Sequence, residues 1–150
     1  MKWLAALLAF CAGTALAQGF DHSHKDWDAL LKKHVRWLPD PTQSRVDYNG
    51  FKVDRAALKQ VLDAISAGPK AEFERLPRER QMAFLINAYN AFTVELILTR
   101  YPKLVSIKDL GSVFESPWKQ KFVPLLGNTL SLDGIEHDML RSRGRFDDPR

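Results

Sequence analysis

The chain has 150 residues, of which 45% are hydrophobic and 27% are charged, with 22 basic and 18 acidic side chains. The net charge of +4 is too small to indicate a nucleic-acid-binding protein. The length suits one domain with a single hydrophobic core.

The first 17 residues have the pattern of a secretory signal peptide. Lys2 supplies a basic start, an apolar run begins at Trp3, and Ala15 to Ala17 provide the small residues of a cleavage site. We predict cleavage after Ala17 and a periplasmic or secreted protein. Because no later segment is apolar over about 18 residues, we expect no stable membrane insertion after cleavage.

Cys11 is the only cysteine of the chain, and it lies within the predicted signal peptide. A lipid anchor on Cys11 is the alternative to simple cleavage, but the large Phe10 stands where such signals carry a small residue. Residues 18–150 therefore contain neither a disulfide nor a thiol nucleophile.

Residues 18–25 are predicted to be a flexible lead-in to a domain that occupies residues 26–150. Apolar side chains at helical spacing predict a first helix over residues 26–35. Two prolines and the Asn49-Gly50 turn signal then indicate a loop, with a short strand at residues 46–48.

A second amphipathic helix is predicted between a capping residue, Asp54, and a stop at Gly68-Pro69. The charged stretch at residues 70–81 reads as a connector or a short helix, broken near Pro77.

The stretch "FLINAYNAFTVELIL" predicts a central helix over about residues 80–99. Apolar side chains occupy every sector of its helical wheel, which predicts a helix buried on all sides. Asn87 and Asn90 are polar exceptions about 60° apart, so their amides need backbone, water or a ligand as partners. Tying loops to the helix is favoured over direct contact with a substrate.

Two short apolar runs on either side of Gly127-Asn128 predict an antiparallel hairpin at about residues 121–132. Pro124 confines its strand to a sheet edge or a bulge. A short helix follows, so the predicted fold class is α+β, a single mainly helical domain with a buried central helix.

Glu136 and His137 are candidate site residues on this last helix. In an α-helix their side chains diverge by about 100°, Glu136 toward Leu140 and His137 toward Arg141. Glu136 is thus expected to be partly buried with a shifted pKa, whereas a surface or structural role is favoured for His137 over catalysis.

The remaining histidines do not predict a cofactor or a metal site. His22 and His24 could share an ion, but they lie in a terminal segment without further ligands. His34 falls on the apolar face of the first helix, where a hydrogen-bonded core histidine is expected.

The phrases "AFLINAYN" at residues 83–90 and "SLDGIEH" at residues 131–137 resemble the hallmarks of the domain of unknown function 547 (DUF547) family. "YPKLVSIKDL" and "DDPR" fit the same pattern in the same order, and the resemblance begins near Leu31. It implies a fold and an exported setting without an established reaction.

In the family pattern, a histidine and a cysteine-containing phrase follow Asp-Pro-Arg, so the chain resembles a C-terminally truncated member or fragment. The resemblance suggests that the complete domain is a thiol hydrolase or acyltransferase. This chain would then be inactive, because it lacks the nucleophile. Asn87, Asn90, Glu136 and His137 are its candidate catalytic residues. The alternative is a non-catalytic envelope module that binds a small molecule or an envelope protein.

Overall fold

The computed structural model describes residues 21–111 and 116–146. The predicted signal peptide and the phrase at 147–150 lie outside the described residues. Residues 18–20 of the predicted lead-in also lie outside, whereas residues 21–25 are described.

The described chain combines α-helices with two small antiparallel sheets, which confirms the α+β class. A π-helix at Gly134–Leu140 follows the last strand, and 3₁₀ turns occur at Ile107–Leu110 and Pro117–Lys119. The other elements, in chain order, are α1 (Lys25–His34), β1 (Val35–Trp37), β2 (Ser44–Val46), α2 (Tyr48–Val53), α3 (Arg55–Ala67), α4 (Lys70–Arg75), α5 (Arg78–Leu98), β3 (Val123–Leu125) and β4 (Asn128–Leu130).

The N-terminal sheet pairs β1 with β2, with Val35 opposite Val46. The predicted strand thus lies two residues earlier than expected, and its partner follows α1 directly. The loop predicted at Asn49-Gly50 is wrong, because these residues lie inside α2. The Asp47 carboxylate begins that helix by accepting a hydrogen bond from the Gly50 backbone N–H at 3.0 Å.

Asp54 precedes α3 as predicted, but its side chain does not cap the helix. Its Oδ2 lies 2.6 Å from Nζ of Lys33 and 2.7 Å from Nε2 of His34, so α1 holds the carboxylate instead. The predicted stop is confirmed, since α3 ends at Ala67. The break near Pro77 is confirmed between α4 and α5.

The central helix is confirmed as α5 and is largely buried. Its last three residues, Leu96, Ile97 and Leu98, are all buried. The expectation that protein surrounds it on every side is wrong for the face that carries Ile86 and Asn90. Ile86 is 42% exposed there, and Asn90 is exposed beside it.

The C-terminal sheet pairs β3 with β4, which confirms the predicted hairpin. Its turn falls one residue earlier than expected, at Leu126-Gly127, and both residues have positive φ (52° and 79°), as in a type I′ hairpin turn. Pro124 is exposed between buried Val123 and Leu125, so the sheet buries alternate side chains.

One hydrophobic core joins α1, α3, α5, β3 and the π-helix. Phe51, Leu58, Leu85 and Ile135 are fully buried within it. Within the described residues, no helix has both the length and the hydrophobicity that crossing a bilayer requires.

Candidate functional site

A cleft of about 550 Å³ opens to solvent beside the exposed face of α5. Met82, Ile86 and Tyr89 line one wall. They are four and three residues apart, so they project from one face of the helix on successive turns. This wall is apolar except for the phenolic hydroxyl.

The opposite wall comes from the π-helix and the chain that follows it. Leu140 and the buried Phe146 supply apolar surface, and Glu136 and Arg141 supply charge. The π-helix packs against α5, and fully buried Ile135 anchors it to the core. Glu136 and Arg141 are therefore positioned by a helix that is packed against the core.

The π-helical turn decides which side chains meet in the cleft. The Arg141 backbone N–H donates to the Glu136 carbonyl five residues earlier, at 2.9 Å. This brings Nε of Arg141 to 3.0 Å from Oε1 of Glu136. The predicted α-helical geometry, with His137 toward Arg141, is wrong because the turn holds one more residue than an α-helical turn.

Tyr89 connects the two walls of the cleft. Burial raises the pKa of its phenol above the ordinary value of 10.0, and the negative charge of Glu136 raises it further. Contact with the Trp118 side chain lowers this pKa, and close contact with the Glu136 carboxylate raises it. At neutral pH it therefore stays protonated, and it can donate to the carboxylate.

The structure separates the two residues of the Glu136-His137 pair. Glu136 lines the cleft and is half-buried, as predicted. His137 is exposed, lies outside the cleft lining, and has its Nε2 3.4 Å from Oδ1 of Asp133. The exposed position of His137 agrees with the surface role expected for this histidine.

Asn87 and Asn90 do not line the cleft. Asn87 is half-buried and Asn90 is exposed, so the expectation of two buried amides is wrong for Asn90. Neither side chain makes a hydrogen bond to the parts of the chain described here. On the helical wheel, Asn90 lies about 40° from Ile86, at the margin of the cleft.

His34 is the satisfied core histidine that its position predicted. It is 5% exposed, its Nε2 contacts Asp54, and its ring lies 4.8 Å from that of Phe51. His22 instead pairs with Glu72 at 3.0 Å, and His24 packs near Phe84. Across residues 21–111 and 116–146, no three metal-ligating side chains gather into a cluster.

Sequence reasoning missed Tyr89 and Arg141 as residues of the cleft. The spacing of Met82, Ile86 and Tyr89 was a usable signal, since it places a phenol on an apolar helical face. Arg141 gave no such signal, because its position depends on a π-helical turn that the residue pattern does not mark.

The family described as "Protein of unknown function, DUF547" matches residues 73–150, which include α5, the C-terminal hairpin and the π-helix. No curated protein and no solved structure matches the chain. The part of the resemblance that begins near Leu31 stays a prediction up to residue 72, because the match starts at Phe73. Since the match spans more than half of the sequence and both walls of the cleft, the chain belongs to the DUF547 family.

Proposed function

We propose that the protein is a binding module whose cleft between α5 and the π-helix takes a small organic molecule with an apolar body. The exposed position of Ile86 carries this proposal. It is an isoleucine on an otherwise largely buried helix, and it faces the cleft. Met82, Leu140 and Phe146 extend the apolar surface around it.

A small molecule suits the shape of the cleft. Its volume falls within the range of about 300–1,000 Å³ that is typical of ligand sites. Such sites combine apolar walls with a few fixed polar groups. Here Tyr89, Glu136 and Arg141 supply those groups, and their mutual contacts hold them in place.

The test uses N-phenyl-1-naphthylamine, an uncharged dye whose fluorescence rises in apolar surroundings. We expect saturable binding, and we expect Ile86→Gln to weaken it about tenfold because a buried apolar contact is lost. Val53→Gln is the matched control, since Val53 is 78% exposed and lies outside the cleft. Equal binding by all three proteins would overturn the proposal.

Thiol acyl transfer is the second candidate, and the position of Glu136 beside the Tyr89 phenol favours it. A carboxylate and a phenol in a partly apolar site can orient a substrate or move a proton. Residues 18–150 contain no cysteine, so the thiol would have to come from outside that span. The test is iodoacetamide labelling of a relative that carries the cysteine-containing motif of the family. Absence of a selectively reactive cysteine would refute this candidate.

Export to the periplasm or the medium is also part of the proposal. The basic start, the apolar run and Ala15 to Ala17 support it. N-terminal sequencing of the protein from an expressing bacterium should then begin at Gln18. Recovery in the cytoplasm with residues 1–17 still attached would count against export.

A further inference from the structure

We infer that the ligand is an organic anion and that its acidic group binds the outer edge of the Arg141 guanidinium. This inference rests on the proposed function of the cleft and specifies its ligand class. The apolar body would lie against Ile86 and its neighbours, and the carboxylate, sulfonate or phosphate would lie at the charged end.

Arg141 is held in place while its outer nitrogens stay available. Its Nε lies 3.0 Å from Oε1 of Glu136, and this ion pair keeps the guanidinium at the charged end of the cleft. The side chain is 58% exposed, and its two terminal amino groups have no partner within the described parts of the chain. The planar edge of a guanidinium suits the two oxygens of an acidic group.

Glu136 is already engaged and does not favour a cationic ligand. Its carboxylate is 30% exposed, pairs with Arg141 and also interacts with the Tyr89 phenol. Arg141 balances its charge within the lining. An ammonium group would have to replace one of these contacts, whereas an anion can bind the free edge of Arg141 and leave both intact.

A second cation adds positive charge beside the cleft. The guanidinium of Arg145 lies 5.9 Å from the ring centre of Phe146, which lines the cleft. Nη2 of Arg78 donates to the Arg145 carbonyl at 2.6 Å, so this part of the chain is tied to the start of α5. The negative charge of Asp133 also raises the pKa of Tyr89, but this carboxylate lies 3.4 Å from Nε2 of His137. The nearby charges therefore favour an anion.

Two dyes with the same aromatic body test the inference. 1-Anilinonaphthalene-8-sulfonate differs from N-phenyl-1-naphthylamine by its sulfonate group. We expect the wild-type protein to bind the sulfonate dye about tenfold more tightly, the typical effect of a charge-assisted contact. Arg141→Gln should remove this preference, which is measured as the ratio of the affinities of the two dyes for the same variant. Arg143→Gln, an exposed neighbour, is the control and should keep the preference.

The loss of Arg141 also leaves Glu136 without its cation, and that carboxylate alone could repel the sulfonate. The double variant Glu136→Gln/Arg141→Gln separates the two effects. If Arg141 binds the anion, the preference stays absent in the double variant. If the preference returns, repulsion by Glu136 caused the loss, and the inference is wrong. Circular dichroism checks that each variant is folded.

The outcomes also separate this inference from the proposed function. If the uncharged dye fails to bind, the proposed function itself falls. If the uncharged dye binds in an Ile86-dependent way and the sulfonate dye binds no more tightly, only the anion assignment falls. Displacement of the uncharged dye by decanoate in preference to decylamine would support the assignment, and the reverse order would overturn it.

Discussion

The imidazole of His34 occupies the space that a side chain on residue 50 would need. A Cβ atom on Gly50 would overlap with Nδ1 of His34, and it would lie only 2.7 Å from Oδ2 of Asp47. Glycine inside a helix is ordinarily unfavourable by about 0.5–1 kcal/mol relative to alanine. The close approach of α1 therefore explains this residue better than helix propensity does.

Gly50→Ala should lower the free energy of unfolding by about 1–3 kcal/mol, the usual effect of overpacking. The added methyl group must displace the His34 ring, which is packed against Phe51. Thermal or urea unfolding measures the change. Asn49→Ala, an exposed neighbour in α2, is the control and should stay within about 0.5 kcal/mol of wild type. A fully stable Gly50→Ala variant would show that α1 and α2 are not in this close contact.

Stability should depend on the ionisation of Asp54 at low pH. The hydrogen bond from Lys33, followed by that from His34, lowers the pKa of Asp54 below its ordinary value of 3.8. The unfolded chain therefore takes up this proton more readily than the folded chain does. The resulting stabilisation is complete above about pH 5 and is lost as pH falls through the lowered pKa.

Urea unfolding of Asp54→Asn between pH 7 and pH 2 tests this dependence. We expect the variant to be less stable at pH 7 and to lose less stability than wild type as the solution is acidified. Asp63→Asn removes an exposed carboxylate on α3, which is paired with Lys59, and it serves as the control. Parallel curves for wild type and Asp54→Asn would contradict the role of this carboxylate.

Ile135 should be essential for docking of the π-helix. Its side chain is fully buried, so Ile135→Ala should cost about 2–5 kcal/mol through lost burial and the cavity left behind. Ile135→Val removes only one methylene and should cost about 0.5–1.5 kcal/mol. Chemical denaturation distinguishes the two. If Ile135→Ala proves as stable as Ile135→Val, the π-helix does not depend on this anchor.

Asn90→Ala should change the free energy of unfolding by no more than about 0.5 kcal/mol, because the side chain is exposed. Asn87→Ala should also be mild, about 1 kcal/mol or less, since no protein hydrogen bond is lost in the described region. Guanidinium unfolding gives both values. A decrease of more than about 2 kcal/mol in the free energy of unfolding of either variant would indicate that the asparagine has a hydrogen-bond partner outside the described residues.

The main helices could be predicted from sequence because their signals are local. Pro77 and Gly68 mark the ends of neighbouring helices, and the apolar face of α3 repeats at helical spacing. The short α2 could not be predicted in this way. Asn49-Gly50 usually signals a turn, and only the packing of His34 against this segment shows why a glycine is needed inside a helix.

The helical wheel overestimates the burial of α5 for a similar reason. A helical wheel records that Ile86 is apolar, but not whether another element covers it. Glu136 can be identified from sequence, because a charged residue stands out on a short helix next to apolar residues. The wheel places Arg141 beside the wrong neighbour, because the α-helical angle per residue does not hold in a π-helical turn.

The π-helix makes the charged pair depend on the hydrogen-bond register of one turn. On an ordinary α-helix, side chains five residues apart diverge by about 140°, so a change of this turn to α-helical hydrogen bonds would separate Glu136 from Arg141 without any change of sequence. Ile135 precedes the turn, and its contact with the core would be kept. Removal of one residue between Glu136 and Arg141 would instead leave them four apart, the spacing at which an ordinary α-helix already places two side chains on one face.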